Sequence, residues 1–257
     1  MAESAVRYVF GTSFEREDER LRLGESLWDK GTKATLDVLG VGPGWRCLEV
    51  GAGRGSIASW LAGRGAEVTA VDIDVTRMAG LSGVEVLNLD IAAEPLPGDY
   101  DLVHGRLVMQ HVGDRPAAVA ALCGALRPGG LLVLEDTDTT SLFSHANGPF
   151  HPEVKRAAYE VMAEAGYHPR CGLLDVDLAE AAGLTDVRSE GRAEVVRGGT
   201  DGGRWFALWL EHLRPAMLAR GSVSEVDIDR AVADLLDPRH RWLSQVMVTV
   251  IGRKDAG

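Results

Sequence analysis

What the chain has little of narrows the field first. Its three cysteines, Cys47, Cys123 and Cys171, are far apart and form no C-x-x-C pair. That leaves neither a disulfide framework nor a zinc ribbon, and points to a reduced, cytoplasmic setting. No apolar run approaches the ~18 residues of a membrane span, so no membrane partner is expected. The opening Met1-Ala2-Glu3-Ser4 lacks the basic and apolar regions of a signal peptide. Positive charge is in deficit, 27 Lys+Arg against 38 Asp+Glu for a net charge of −11, so the basic footprint required by nucleic acid is missing. Internal repeats are absent, and the 31 glycines are dispersed rather than clustered into low-complexity sequence.

What is present reads as an ordinary globular chain, with 46% hydrophobic and 25% charged residues in a length of 257. Residues 12–39 have helical spacing with a break expected near Gly31, and the charged stretch 15–22 reads as a solvated helix face. A strand at 45–50, a glycine turn and a helix from 57 follow. Further strands are expected at 67–71, 84–89, 100–103 and 131–135, with a helix at 116–126 and a turn at 127–130. Strands alternating with helices at this pace indicate βαβ units and a parallel sheet. The second half reads as helices at 152–165 and 175–182, a strand at 187–197, a glycine joint at 198–203, helices at 205–219 and 225–236, and a closing β run at 243–252. The segment of about 204–237 is therefore a helical insertion between the last two strands. One domain over 1–257 is the favoured organisation: helices at 1–44, a core at 45–136 and a second half at 137–257.

The sharpest motif is Leu48-Glu49-Val50-Gly51-Ala52-Gly53-Arg54-Gly55-Ser56. A glycine turn after a first strand lets a ligand approach the backbone. Its G-x-G-x-G spacing differs from the dinucleotide G-x-G-x-x-G pattern. Glu49, two positions before the first glycine, would repel a pyrophosphate but suit a cationic ligand. Asp72, at the end of the second strand, is placed to take ribose hydroxyls. Asp90 ends the third strand and can accept from an adenine amino group, with Ile73 and Ile91 flanking the ring. Adenosine with a cationic amino-acid tail and no pyrophosphate describes S-adenosylmethionine. The plainer reading of a lone strand-end Asp is a turn residue, and it is the one that fits Asp74.

With these motifs on the page, the chain resembles class I S-adenosylmethionine-dependent methyltransferases of the bacterial small-molecule type. The matching features run in family order through Glu49-x-Gly51-x-Gly53-x-Gly55, the strand ending at Asp72, Leu89-Asp90-Ile91, Asp101-Leu102-Val103-His104 with Gln110-His111, and Leu126-Arg127-Pro128-Gly129-Gly130. Tyr8-x-x-Gly11 resembles the start of a helical lid. The resemblance implies an α/β fold: a seven-stranded, mostly parallel, doubly wound sheet of order 3-2-1-4-5-7-6 with the last strand antiparallel. It further implies that Gly51 and Gly53 lie against the methionine part of the cofactor, with Glu49 near its amine. Asp72 would bind the ribose, Asp90 and Ile91 would meet the adenine, Arg106 or Leu107 would close over the sulfonium, and Tyr8 would touch it from the lid. S-adenosylhomocysteine would be the product.

Acceptor chemistry is less sharply written. Methyl transfer needs alignment of the nucleophile, exclusion of water and often removal of a proton. His111 is the first candidate base among seven histidines; its plainer reading is packing against the cofactor. His145 and His151, after the fifth strand, have weaker claims, and His104 reads as a satisfied buried residue. Asp136 could orient a base or acceptor. His104-Gly105-Arg106-Leu107 replaces the Asn/Asp-Pro-Pro-Tyr/Phe run of nucleic-acid amino-methylating enzymes. Glu135-Asp136-Thr137-Asp138 offers carboxylates from one side only, so no metal site is expected. Trp205, Phe206, Trp209 and Leu213 give the insertion an apolar face, which either packs the insertion or contacts an acceptor or second copy. Phe143 and Phe150 are further pocket candidates. The favoured expectation is O-methylation of a small, partly apolar acceptor such as a secondary metabolite, by a monomer or homodimer. Cyclisation or rearrangement on the same fold, or a non-catalytic cofactor-binding partner, are the alternatives.

Overall fold

The computed structural model describes residues 14–257, so the expected lid contact Tyr8 lies outside the described residues. Helix α1 (Glu17–Val38) leads into β1 (Arg46–Val50), α2 (Ser56–Gly63), β2 (Glu67–Asp72), β3 (Val84–Asn88) and β4 (Tyr100–Arg106). Then come α3 (Arg115–Ala125), β5 (Leu126–Asp138), the short β6 (Ser144–His145) and β7 (Gly148–Pro149), α4 (Pro152–Glu164) and α5 (Cys171–Ala181). The chain ends with β8 (Thr185–Arg192), β9 (Val195–Arg197), α6 (Asp201–Arg220), α7 (Glu225–Leu236), β10 (Arg241–Leu243) and β11 (Val246–Arg253).

The main sheet has seven strands in the order β3-β2-β1-β4-β5-β11-β8. Numbering only the strands of this sheet, that is 3-2-1-4-5-7-6, and the last one, β11, runs antiparallel to both β5 and β8. The inner strands β1 and β4 are buried almost throughout. Helices cover both faces of such a sheet, which is why these strands read as continuous apolar runs rather than alternating ones. Apolar side chains pack on each face, around Leu48, Val103 and Leu134 on one and Leu36, Leu61 and Val133 on the other. Helix starts follow local chemistry: Asp114 caps α3 by accepting from the Ala117 N–H, and Ser224 and Asp227 form a reciprocal capping box on α7.

Several expectations are corrected. Helix α1 runs through Gly31 without a break. Gly31 is there for a close approach: a Cβ would lie 2.3 Å from Nε of Arg192. The expected strand at 187–197 divides into β8 and β9, which belong to different sheets. The closing run divides likewise, because β10 joins a second, four-stranded sheet of order β7-β6-β10-β9. The turn at 127–130 is a bulge inside β5, with a register shift opposite Tyr100 and Leu102. This second sheet, α4, α6 and α7 enclose their own aromatic core. At its centre Phe143 meets Phe206, Trp209 and Trp242 edge-on at 5.6–6.3 Å between ring centroids. Among the described residues no helix is long and apolar enough to cross a membrane.

Candidate functional site

The carboxyl ends of β1, β2, β3 and β4 open into a cavity of about 360 Å³, roofed by α1, α4 and α6. Ligands of open α/β sheets bind at this end, where the strand order reverses. Gly51, Gly53, Asp72, Ile73, Asp90, Ile91, Arg106, Leu107 and Glu49 all line it, and so does His111.

The glycine turn is shaped for close packing. Gly51 has φ +60°, and a Cβ there would lie 2.3 Å from Cγ2 of Val108, so only glycine lets the β1 and β4 loops meet beside the cavity. Asp72 braces the turn: its Oδ2 accepts from the Gly53 N–H at 2.8 Å and its Oδ1 from the Asp74 N–H at 3.0 Å. Burial raises its pKa, and these backbone donors oppose the rise. Asp74 turns its carboxylate to the Thr76 N–H and Arg77, the turn role expected of it. Ile73 is 53% exposed at the cavity mouth, a bare apolar surface where a flat ring can rest. Asp90 accepts from the Ala92 N–H at 2.9 Å. A glycine cradle, carboxylates at the end of β2 and just after β3, and an aliphatic wall form a set that could hold adenosine with an amino-acid tail.

Arg106 is tied down, donating to Asp29 Oδ1 at 2.8 Å and Thr32 Oγ1 at 3.0 Å. Leu107 takes a left-handed conformation, φ +60°, and donates its N–H to the Glu135 carbonyl at 2.8 Å. That turn carries Val108 and then His111 to the cavity.

His111 lines the same cavity as the strand ends and packs against Tyr167. Burial, together with the cations Arg20 and Arg115, lowers its pKa to about 3, so the ring is neutral. Gln110 Oε1 accepts from the Thr137 hydroxyl at 2.8 Å, which turns the Gln110 amide nitrogen toward His111 Nε2 at 3.3 Å. Beyond His111, the chamber wall is Tyr159, Met162, Tyr167, Trp205, Phe206 and Trp209. Tyr167 lies 5.2 Å from the His111 ring and Tyr159 lies 5.4 Å from Trp209.

Other expected residues lie elsewhere. His145 is on β6, stacked on Phe150, and lines a separate cavity with Phe143. His151 pairs with Asp234 at 2.9 Å. Leu213 is core. Asp136 is fully buried beneath the 109–111 turn, accepting from the Gln110 N–H at 3.1 Å. Its companions are Asp175 and Cys171, also fully buried, and among the described residues these three form a group compact enough to hold an ion. Burial raises the proton affinity of both carboxyls, and the Asp136 charge raises that of Asp175 further. A shared proton accounts for the contact.

Two features escaped the sequence reading. Glu17 and Arg20, inside the supposedly solvated stretch, are buried and paired at 2.6–2.7 Å, and both line the chamber. Their i, i+3 spacing was the available signal. His104 is buried and partnered as expected, but the partner escaped: its Nδ1 lies 2.6 Å from Glu49 Oε2, a pairing visible only once register was known.

Known proteins agree with this architecture. A family model described as a methyltransferase domain matches residues 14–188. The chain is 33% identical over 108 residues to a ubiquinone biosynthesis O-methyltransferase of Xanthomonas campestris, covering 38% of this chain and 45% of that protein. It is 38% identical over 121 residues to the protein of that name from Bordetella bronchiseptica, covering 43% and 46%. The chain thus spans about half the length of the curated relatives it matches. Among solved structures, the 1,6-didemethyltoxoflavin-N1-methyltransferase of Burkholderia thailandensis superposes with a TM-score of 0.53 at 15% identity, covering 90% of this chain and 82% of that one. The phosphoethanolamine N-methyltransferase 2 of Haemonchus contortus, in complex with S-adenosylhomocysteine, gives 0.51 at 16% identity, covering 96% and 56%. The sheet order, the glycine turn braced by Asp72 and the match over residues 14–188 lead to one conclusion: the chain belongs to the class I S-adenosylmethionine-dependent methyltransferase family.

Proposed function

We propose that the chain transfers a methyl group from S-adenosylmethionine to a small-molecule acceptor, at oxygen, and that the acceptor carries an aromatic or otherwise apolar ring of the secondary-metabolite kind. The observation that carries this reading is the continuity of one cavity, from the Asp72 and Asp90 strand ends, past His111, into a chamber walled by Tyr159, Tyr167, Trp205, Phe206 and Trp209. Partial similarity to relatives named ubiquinone biosynthesis O-methyltransferase supports oxygen as the methylated atom.

Glu49, Gly51 and Gly53 would hold the amino-acid part of the cofactor, Asp72 its ribose, and Asp90, Ile73 and Ile91 its adenine, with Leu107 at the sulfonium side. When bound, the cofactor supplies an electrophilic methyl carbon. The aromatic walls of the chamber exclude water and orient a flat acceptor. His111, neutral, takes the hydroxyl proton at Nε2 as the new oxygen–carbon bond forms. A methylated, still protonated oxygen is a far stronger acid than imidazolium, so even a ring of low basicity suffices. The Gln110 contact at 3.3 Å is long enough to yield.

The test is release of S-adenosylhomocysteine from S-adenosylmethionine, measured with a panel of phenols, amines and non-aromatic polar alcohols. Turnover with phenols is expected. Turnover confined to amines or non-aromatic acceptors would reject the acceptor assignment. Absence of calorimetric S-adenosylhomocysteine binding would reject the whole reading.

A further inference from the structure

Glu49 is only 4% exposed. A carboxylate so far from water needs a hydrogen-bonded partner of opposite charge. The adjacent strand supplies the counter-ion. His104 is the register partner of Glu49 in the parallel β1–β4 pair, and its Nδ1 lies 2.6 Å from Glu49 Oε2. Its other ring nitrogen, Nε2, lies 3.5 Å from Glu135 Oε2. The ring is fully buried. A neutral ring protonated at Nε2 would set the Nδ1 lone pair against Glu49 Oε2, and one protonated at Nδ1 would turn the Nε2 lone pair toward Glu135 Oε2, an ion-pair distance with no formed hydrogen bond, so the two flanking carboxylates favour the doubly protonated ring. Burial opposes that charge, but Glu49 and Glu135 outweigh it and raise the pKa to about 9.

Glu135 is fixed in turn. Arg192 Nη2 donates to its Oε1 at 2.6 Å, the Thr249 hydroxyl donates to the same oxygen at 2.8 Å, and the Thr32 hydroxyl donates to Oε2. Charges therefore alternate along one row, Glu49, His104, Glu135, Arg192, and cancel in pairs. Of these four only Glu49 lines the cavity.

We propose that His104 is a positioning residue for cofactor binding: held beside Glu135, it is the buried counter-charge of Glu49 and engages one carboxylate oxygen, leaving the other for the ammonium group of S-adenosylmethionine. This rests on the placement of Glu49 against that ammonium group. Cofactor affinity is then set partly by β5, β8 and β11, strands that never touch the ligand through these side chains.

Calorimetry on the full chain with two ligands separates positioning from simple structural support. S-adenosylhomocysteine carries the ammonium group; 5′-methylthioadenosine keeps the nucleoside and lacks it. His104→Phe preserves ring volume and removes both N–H groups. It should weaken S-adenosylhomocysteine by about tenfold or more, the scale of a lost charged hydrogen bond, and leave methylthioadenosine unchanged. Equal losses for both ligands, or none for either, overturn the inference. Glu49→Gln, run in parallel, locates any failure. If it leaves S-adenosylhomocysteine binding intact, the underlying placement of Glu49 is wrong. If it weakens binding and His104→Phe does not, only the role of His104 is wrong. Nitrogen NMR of the labelled wild-type chain needs no variant to fold. At about pH 7.5 both ring nitrogens of His104 should be protonated, and a single neutral tautomer overturns the inference.

Discussion

Under the proposed function Asp72 has two jobs for one carboxylate. It accepts from the Gly53 and Asp74 backbones, and each oxygen keeps a lone pair for a ribose hydroxyl. Asp72→Ala therefore removes a ligand and a brace together, leaving the Gly53 N–H unpaired. S-adenosylhomocysteine affinity measured by calorimetry should fall by about 10- to 100-fold, as for a hydrogen bond to a charged group. Binding at wild-type strength would remove Asp72 from the site. His111 is a different case, since the proposed function gives its neutral ring a part in the transfer step. His111→Ala should lower kcat by about 100-fold, the lower end for a proton-transfer residue, with cofactor affinity unchanged. Loss of affinity instead would mean that His111 packs against the cofactor. The pH profile sharpens the point. A base works when neutral, and a pKa lowered to about 3 keeps His111 neutral where an ordinary histidine is protonated. No acidic fall in rate attributable to this ring is expected between about pH 8 and pH 5.5; a fall centred near the ordinary histidine value would contradict its burial beside Arg20 and Arg115.

At the scale of elements, α1 shows why local rules and tertiary packing part ways. Replacing a mid-helix glycine by alanine favours a helix by about 1 kcal/mol, so propensity alone predicts that Gly31→Ala stabilises. The structure predicts the reverse. The new Cβ would lie 2.3 Å from Nε of Arg192, and moving that guanidinium strips a partner from fully buried Glu135. A net loss of about 1–3 kcal/mol, the cost of a buried group left under-satisfied, should appear in urea unfolding; a gain would show that Arg192 relocates freely. The same helix explains what could be read in advance. The strand–glycine turn–helix at 46–63 and the Asp-ended strands were legible because their signals are local, a run of apolar residues punctuated by glycine or aspartate. The unbroken α1 was not, because its reason lies on β8. Burial of Glu17 and Arg20 was not, because an ion pair hides two charges that, read singly, belong in water. The second sheet was not, because β6, β7, β9 and β10 have two or three residues each, too few to show a period. The residues lining the strand-end side of the cavity were thus readable from motifs, whereas the aromatic chamber needed α4 and α6 to be brought together.

Over the whole molecule, stability should decline toward alkaline pH, because the fold holds protons that the unfolded chain releases. His104 is one holder, its pKa raised to about 9 from 6.5 by Glu49 and Glu135 against the pull of burial. The Asp136–Asp175 pair is the other, since burial of both carboxyls and the charge of Asp136 beside Asp175 favour a retained proton. The sign follows from linkage: where the native state binds more protons than the unfolded state, unfolding free energy falls as pH rises. The aspartate contribution is complete only below the ordinary carboxylate range and erodes from about pH 4 upward, while that of His104 erodes between about pH 6.5 and 9. Glu135 works in the opposite sense. Burial disfavours its charge, but His104, Arg192 and Thr32 hold its pKa well below the usual range, so its contribution is lost only in acid. Between neutrality and pH 9 both proton holders act in the same direction, and the midpoint of thermal unfolding should drop steadily. Asp175→Asn isolates one of them. The amide can donate to Asp136 as a protonated carboxyl would, with the same shape and no proton to lose. The variant should unfold at higher temperature than wild type near pH 8.5 and with a shallower pH slope, the residual slope belonging to His104. An unchanged slope would mean that the acid pair does not carry its proton into this range, and would reopen the Asp136, Cys171 and Asp175 group to neutralisation by some other cation.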